Sequence, residues 1–140
     1  MIKPIVLAAL LCAGEASASA PPPRIVNHNG SIMQVIQTGR DTVEIVYMKP
    51  KPELWGYASP GTVLARGRWR DGILYATVYS VSRCGPVPYQ VSGRVDADEV
   101  LTLTGPAPLL DPWTCQVLQW IWSANSVLTF QPLPPPAARF

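Results

Sequence analysis

Short runs of β-forming residues, broken at close intervals by glycine, proline and Asx residues, make up most of this sequence. Valine, isoleucine, tyrosine and threonine alternate with polar residues in these runs, as in strands with one buried face. Several connections are short enough for hairpins, among them Asn29-Gly30, TGRD at 38–41, RDG at 70–72 and DADE at 96–99. The expected strands are 25–28, 31–37, 42–48, 62–70, 73–82, 87–95, 99–105 and 126–131. The pattern predicts an all-β fold, a small antiparallel barrel or sandwich of seven to eight strands.

The first eighteen residues have the composition of an export signal. Lys3 supplies the positive start, an apolar run covers 5–11, and Ala16-Ser17-Ala18 forms a cleavage site of the A-x-A type. Neither this run nor any later segment is long and apolar enough to cross a bilayer as a helix. We therefore predict a signal peptide at 1–18, a β-barrel-like domain at 19–131, a proline-rich tail at 132–140, and a periplasmic or secreted location.

The charge of the chain is too small to indicate a polyanionic partner. Lysine and arginine number 11 against 9 aspartate and glutamate residues, a net charge of +2 at pH 7. Because Lys3 and Glu15 leave together with the signal, the exported chain keeps this balance. We expect neither nucleic acid nor an anionic membrane as a partner.

The cysteines predict one disulfide. Cys12 falls within the signal, which leaves Cys84 and Cys115 as an even pair in an oxidising compartment. In the chain-entropy model their bridge stabilises the fold by about 3 to 4 kcal/mol.

Two cysteines and a single histidine are too few for a metal centre, and the acidic turn at 96–99 lacks the glycine and distal glutamate of a calcium loop. We expect no metal and no cofactor.

The only histidine lies beside the Asn29-Gly30 turn. A tight turn at these two residues makes His28 and Ser31 cross-strand neighbours, which need no catalytic explanation. The alternative is a hydrolase-type enzyme that uses His28 with Ser31 or Tyr47. That chemistry requires an acid to orient the imidazole and an oxyanion hole, and the sequence has no G-x-S-x-G elbow.

Three arginines alternate in the predicted strand at 62–70. Arg66, Arg68 and Arg70 share one face, and Ala65, Gly67 and Trp69 share the other. The favoured interpretation is a solvated face, and the alternative is a ledge for anions.

Two long connections carry the remaining aromatic residues. Trp55 and Tyr57 lie in 49–60, and Trp113, Trp120 and Trp122 lie in 106–125 together with Cys115. Long ordered loops often bind ligands. The first interpretation of the three tryptophans is filling of the core or cover for the disulfide, and the alternative is an aromatic platform for sugars or apolar ligands.

Several stretches together resemble a family of small exported bacterial domains of unassigned function. They are HNGS at 28–31, YMKPKP at 47–52, PGTVLARG at 60–67, DGILYATVYSVSRCGPVPYQVSG at 71–93, LTGPAP at 103–108, and Cys115 followed by LTF at 128–130. Similar domains occur alone after a signal peptide, and also C-terminal to a caspase-like peptidase domain. The resemblance implies the β fold and the bridge between Cys84 and Cys115.

The same resemblance implies no activity. The catalytic histidine and cysteine of the peptidase belong to the caspase-like portion, which has no counterpart in this chain. Where the family tends to read W-D-H-N-G-S, this chain has Val26 and Asn27 before His28, so no site at that hairpin carries over.

These observations favour an exported, non-enzymatic binding module. Its expected partner is an envelope or secreted protein, or a cell-wall or small apolar ligand. The candidate binding residues are Trp113, Trp120, Trp122, Trp55, Tyr57, Arg66 and Arg68. The alternatives are the hydrolase described above and a structural envelope protein without a ligand.

Overall fold

The structure, a computed structural model, describes residues 23–133. Ten strands run through them, eight in a closed antiparallel barrel and two in a separate hairpin. The barrel strands are β1 (Arg24–His28), β2 (Ser31–Gln37), β3 (Thr42–Lys49), β4 (Val63–Arg70), β5 (Ile73–Tyr79), β6 (Pro88–Val95), β7 (Leu101–Thr104) and β10 (Val127–Pro132), and the hairpin strands are β8 (Ala107–Leu110) and β9 (Val117–Ile121). The all-β prediction is confirmed, and the architecture is the barrel and not the sandwich. The predicted signal peptide and tail residues 134–140 lie outside the described residues.

Strands β1 to β7 pair with their neighbours in sequence, and β10 closes the barrel between β7 and β1. The chain reaches β10 only after the β8–β9 hairpin. The register joins Val26 to Pro132 on one side of β10 and Leu128 to Leu103 on the other. Closure leaves no free strand edge on the barrel itself.

The alternation in the sequence fills the barrel interior. The inward positions carry apolar side chains with no more than 1% of their surface exposed, among them Met33, Ile45, Leu74, Leu103 and Phe130. Ala65 is buried on β4, whereas Arg66 and Arg68 are exposed. The predicted division of β4 into two faces is therefore confirmed.

Two of the predicted hairpin turns have the backbone that their residues favour. Asn29 and Gly30 have φ of 51° and 95°, and Asp71 and Gly72 have φ of 53° and 79°. A two-residue turn of this hand requires positive φ at both positions, which Asn-Gly and Asp-Gly adopt most easily. His28 pairs with Ser31 across the first turn, as predicted.

The connections divide by length between the two ends of the barrel. At one end lie the tight turns at 38–41, 71–72 and 96–100, with residues 23 and 133, where the described chain begins and ends. At the other end lie the Asn29-Gly30 turn and the three long connections, 50–62, 80–87 and 105–126. We call this second end the mouth. Two 3₁₀ turns, Pro52–Leu54 and Ala124–Ser126, shape the long connections there.

The structure differs from the sequence-based expectation in the segment 106–125. We expected a connection without strands, and the segment forms the β8–β9 hairpin. Four of the five residues of β9 are exposed, so its sequence VLQWI lacks the alternation that marked the barrel strands.

No helix within residues 23–133 has the length and hydropathy needed to cross a membrane.

Candidate binding site at the barrel mouth

The long connections enclose a cavity of about 350 Å³ at the mouth. Strand ends supply its floor, and the segments 80–82, 107–110 and 124–125 supply much of its wall. Its polar lining residues are His28, Asn29, Ser31, Tyr47, Lys51, Tyr79, Ser80, Ser82, Tyr89 and Asn125, and its apolar lining includes Leu54, Leu64, Val78, Leu110 and Leu128. The mouths of β-barrels are common places for small-molecule sites.

His28 is held rigidly in the cavity floor. Its ring stacks on Phe130 with centroids 4.6 Å apart, and its Nδ1 lies 3.0 Å from the carbonyl oxygen of Thr129. Because a carbonyl oxygen only accepts, Nδ1 carries the proton and Nε2 is the acceptor of the neutral ring. Burial lowers the pKa of His28, and the nearby charge of Lys51 lowers it further, against the effect of the Thr129 bond. The imidazole is therefore neutral at pH 7.

Ser31 connects the first hairpin to the 50–62 connection. Its hydroxyl oxygen accepts a hydrogen bond of 2.9 Å from the backbone N–H of Lys51, and only 1% of the residue is exposed. This bond fixes the backbone of Lys51 at the cavity wall. The lysine side chain adds the only ionised group among the described residues that line the cavity.

Two tyrosines bring phenol groups to the site. Burial raises the pKa of Tyr47 to about 12 and that of Tyr89 to about 12, so both hydroxyls remain protonated donors. The Tyr89 hydroxyl donates to the carbonyl oxygen of Asn125 at 2.8 Å and so ties β6 to the 3₁₀ turn before β10. The Tyr47 hydroxyl forms no hydrogen bond with another described residue. Among the described residues, every fully buried side-chain oxygen and nitrogen has a partner, so this hydroxyl is not fully buried. Since Tyr47 lines the cavity, we conclude that its hydroxyl faces the cavity.

The geometry does not assemble the hydrolase alternative. His28 and Ser31 are neighbours, but each is bonded elsewhere, the ring to Thr129 and the hydroxyl to Lys51. No carboxylate lines the described cavity to orient the imidazole or stabilise its charged form. A phenol with a pKa of about 12 is a poor nucleophile at neutral pH.

The three tryptophans of the late connection lie outside the core. Trp113 is 86% exposed, Trp120 53% and Trp122 67%. The interpretation of these side chains as core filling is therefore wrong, and cover for the disulfide stays a prediction. The segment folds as a two-stranded hairpin separate from the barrel sheet, and among residues 23–133 its tryptophans remain exposed.

The other predicted binding residues line separate surfaces or none. Trp55 lines an apolar cavity of about 340 Å³, and its indole N–H donates to the carbonyl oxygen of Pro50 at 3.1 Å. Tyr57 and Arg66 line a cavity of about 300 Å³ next to 80–86. Arg66 pairs with Glu44 at 2.8 Å and lies over the Tyr79 ring, 5.8 Å from its centroid.

Arg68 lies farther along β4, opposite Thr42 and Tyr75. It lines none of the three cavities described above. The structure thus does not bring the seven predicted binding residues together.

The predicted disulfide is present. Cys84 and Cys115 are joined with an S–S distance of 2.12 Å over a sequence separation of 31. The bridge links the 80–87 connection to the turn of the β8–β9 hairpin. The 80–87 connection and strand β8 of that hairpin line the mouth cavity, so the bridge ties together two segments that form its wall.

Sequence reasoning missed Lys51, Tyr79, Tyr89 and Asn125 as members of one site. Their common signal is position, because each lies at or just beyond a strand end that faces the mouth. The alternation within β6 placed Tyr89 inward, but only the closed barrel shows which ends meet.

Among residues 23–133, no three His, Cys, Asp or Glu side chains cluster closely enough to hold a metal ion.

Comparisons of the chain with models of known protein families, with curated proteins and with solved structures return no match.

Proposed function

We propose that this protein is an exported, non-enzymatic binding module that takes a small ligand into the mouth of its barrel. The observation that carries the proposal is the mouth cavity of about 350 Å³, whose lining combines hydrogen-bonding side chains with apolar ones. Its volume lies at the lower end of the range for small-molecule sites. The disulfide and the predicted signal support export to an oxidising compartment.

The charges of the site favour a neutral or anionic ligand. Lys51 contributes an ammonium group, Tyr47 contributes a hydroxyl donor, and no described lining residue contributes a carboxylate. A ligand with a carboxylate at one end and an apolar body matches these donors and the leucines around them. A cationic ligand would enter without a counter-charge, which is costly in a partly desolvated site.

The cavity and the exposed tryptophans favour this function over a structural protein without a ligand. The bonds of His28 and Ser31 favour it over a hydrolase.

The test uses three matched sets of probes: small aromatic carboxylates, the corresponding primary amides and the corresponding amines. Ligand-observed NMR measures the binding of each set. We expect the carboxylates to bind best. Lys51→Met should weaken carboxylate binding about tenfold, the effect of one charge-assisted hydrogen bond. Lys49→Met is the matched control, since Lys49 lines the neighbouring cavity and not the mouth.

Absence of binding by every probe class, or equal losses in the two lysine variants, would overturn the proposal. A catalytic role would be indicated instead if the protein hydrolysed an activated ester and His28→Ala abolished that activity without changing the melting temperature.

A further inference from the structure

Strand β9 has an open outer edge. It pairs with β8 on one side, and among the described residues nothing pairs with its other side. Leu118 and Trp120 are 58% and 53% exposed, and Trp122 follows directly. The segment 116–123, QVLQWIWS, contains no ionisable residue and no proline. Natural proteins usually protect such an edge with charge, proline or a covering element.

Pro108 shows which backbone groups of β9 point outward. It lies opposite Trp120 in the β8–β9 ladder and has no N–H to donate. The pair is therefore the non-hydrogen-bonded kind, in which the N–H and C=O of both residues point away from the partner strand. Trp120 consequently presents a donor and an acceptor at the outer edge of β9.

We propose that β9 pairs antiparallel with β9 of a second copy of this chain. With Trp120 on the two-fold axis, its N–H and C=O bond to those of Trp120 in the other copy. Leu118 then lies opposite Trp122, and Gln119 opposite Ile121. Every pair is uncharged, so the symmetric contact brings no like charges together.

The charge of the hairpin favours a second copy over a lipid surface. Asp111 is the only ionisable residue in 106–123, so the hairpin has no basic residue to attract anionic headgroups. Both described chain ends lie at the opposite end of the barrel from the mouth, and no described strand pairs with the outer edge of β9. Since Pro108 and Leu110 line the mouth cavity, the pairing places two mouths side by side.

The available area predicts a weak dimer. The exposed side chains of 117–122 amount to on the order of 400 Å², taking about 250 Å² for a whole tryptophan. A standard stable interface uses about 800 Å² per partner. We therefore expect a dissociation constant of about 10 to 100 μM, because the small contact area and the backbone hydrogen bonds between the two β9 strands together give only weak binding.

The test is sedimentation velocity of the purified, oxidised protein over a concentration series up to about 500 μM, which spans the expected dissociation constant. Wild type should form a dimer. Trp120→Lys should weaken dimerisation by at least about 30-fold, because it removes an apolar residue at the axis and puts two like charges there. Trp113→Lys is the control, since Trp113 is equally apolar and more exposed but lies in the hairpin turn. It should leave the dimer intact.

Circular dichroism and thermal melting establish that each variant folds. If the lysine variant misfolds, Trp120→Thr replaces it, because threonine keeps the strand propensity without the ring, and it must also weaken the dimer. A monomer throughout the series, or equal losses in the Trp113 and Trp120 variants, would overturn the proposal. Binding of wild type to phosphatidylcholine vesicles without self-association would assign the edge to lipid instead.

Discussion

His28 is the residue whose surroundings differ most from what its neighbours in the sequence suggest. Asn27 and Asn29 flank it, yet its contacts are Phe130 and the Thr129 carbonyl, about a hundred residues away along the chain. Burial at this position lowers its pKa and keeps the ring neutral against the effect of the Thr129 bond, and the residue lines the cavity. It is also the only histidine, so the pH dependence of folding near neutrality belongs to one side chain.

We predict that stability decreases as the pH falls through about 6.5, the ordinary pKa of histidine. The pKa of His28 is lowered in the folded state, so the unfolded chain takes up the proton first and gains stability from it. The stability from the neutral ring is complete above the unfolded pKa and is lost on acidification toward the folded pKa. Urea titrations between about pH 7.5 and 5.5 measure this slope. In His28→Gln the slope should be nearly flat, and an unchanged slope would contradict the assignment.

Ser31→Ala should lower the free energy of unfolding by about 1 kcal/mol, because it leaves a partly buried N–H without its acceptor. The N–H in question is that of Lys51, which now donates to the serine hydroxyl. Ser59→Ala, at an exposed position of the same connection, should change stability little. Chemical denaturation of both variants provides the comparison. Equal effects would show that the Ser31 bond does not hold the connection in place.

At the scale of elements, the close approach of β6 and β7 depends on a glycine inside a strand. A Cβ at Gly93 would collide with the backbone carbonyl oxygen of Thr102. Gly67 on β4 has a similar constraint, since a Cβ there would lie 2.8 Å from the Tyr75 carbonyl oxygen. Glycines at such positions let neighbouring strands pack tightly where a small barrel curves.

Gly93→Ala should destabilise the protein by at least about 2 kcal/mol, because a backbone obstacle cannot rotate away as a side chain can. Arg94→Ala, at the next and exposed position of β6, should stay within about 0.5 kcal/mol of wild type. Thermal and urea unfolding of the two variants test the difference. A Gly93→Ala protein as stable as the control would mean that β6 and β7 are less closely packed than described.

In the molecule as a whole, the tight turns and the proposed binding site lie at opposite ends of the barrel. Tight turns close the end where the described chain begins and ends, whereas the long connections that form the cavity meet at the mouth. The bridge between Cys84 and Cys115 joins two of those connections. Its main effect should therefore be on the mouth.

Replacing both cysteines, Cys84→Ser with Cys115→Ser, should lower the free energy of unfolding by about 3 to 4 kcal/mol by the chain-entropy model. Hydrogen exchange should speed up in 80–87 and 105–126, while the turns at 38–41 and 71–72 keep their wild-type rates. Mass spectrometry of exchanged peptides distinguishes the two ends. Uniform acceleration over the barrel would instead assign the bridge a role in global stability alone.

The strands and the site differed in how far they could be predicted. All eight barrel strands were predicted from alternation and turn residues, because a strand with one buried face has an apolar residue at every second position. The hairpin at 106–125 was missed because nearly every residue of β9 is exposed, so its sequence shows no such alternation. The cavity residues were found only in part, since Lys51, Tyr89 and Asn125 are brought together by barrel closure and not by spacing.

The sequence by itself determined the fold class, the positions of the barrel strands, the two-residue turns at Asn29-Gly30 and Asp71-Gly72, and the pairing of Cys84 with Cys115. Each depends on local backbone preference or on a count of residues. The tertiary structure alone decided that the sheet closes into a barrel, that the tryptophans of 113–122 face outward, and that His28, Tyr47 and Lys51 line one cavity. Those outcomes depend on which strand ends meet, and that is set by the packing of the whole interior.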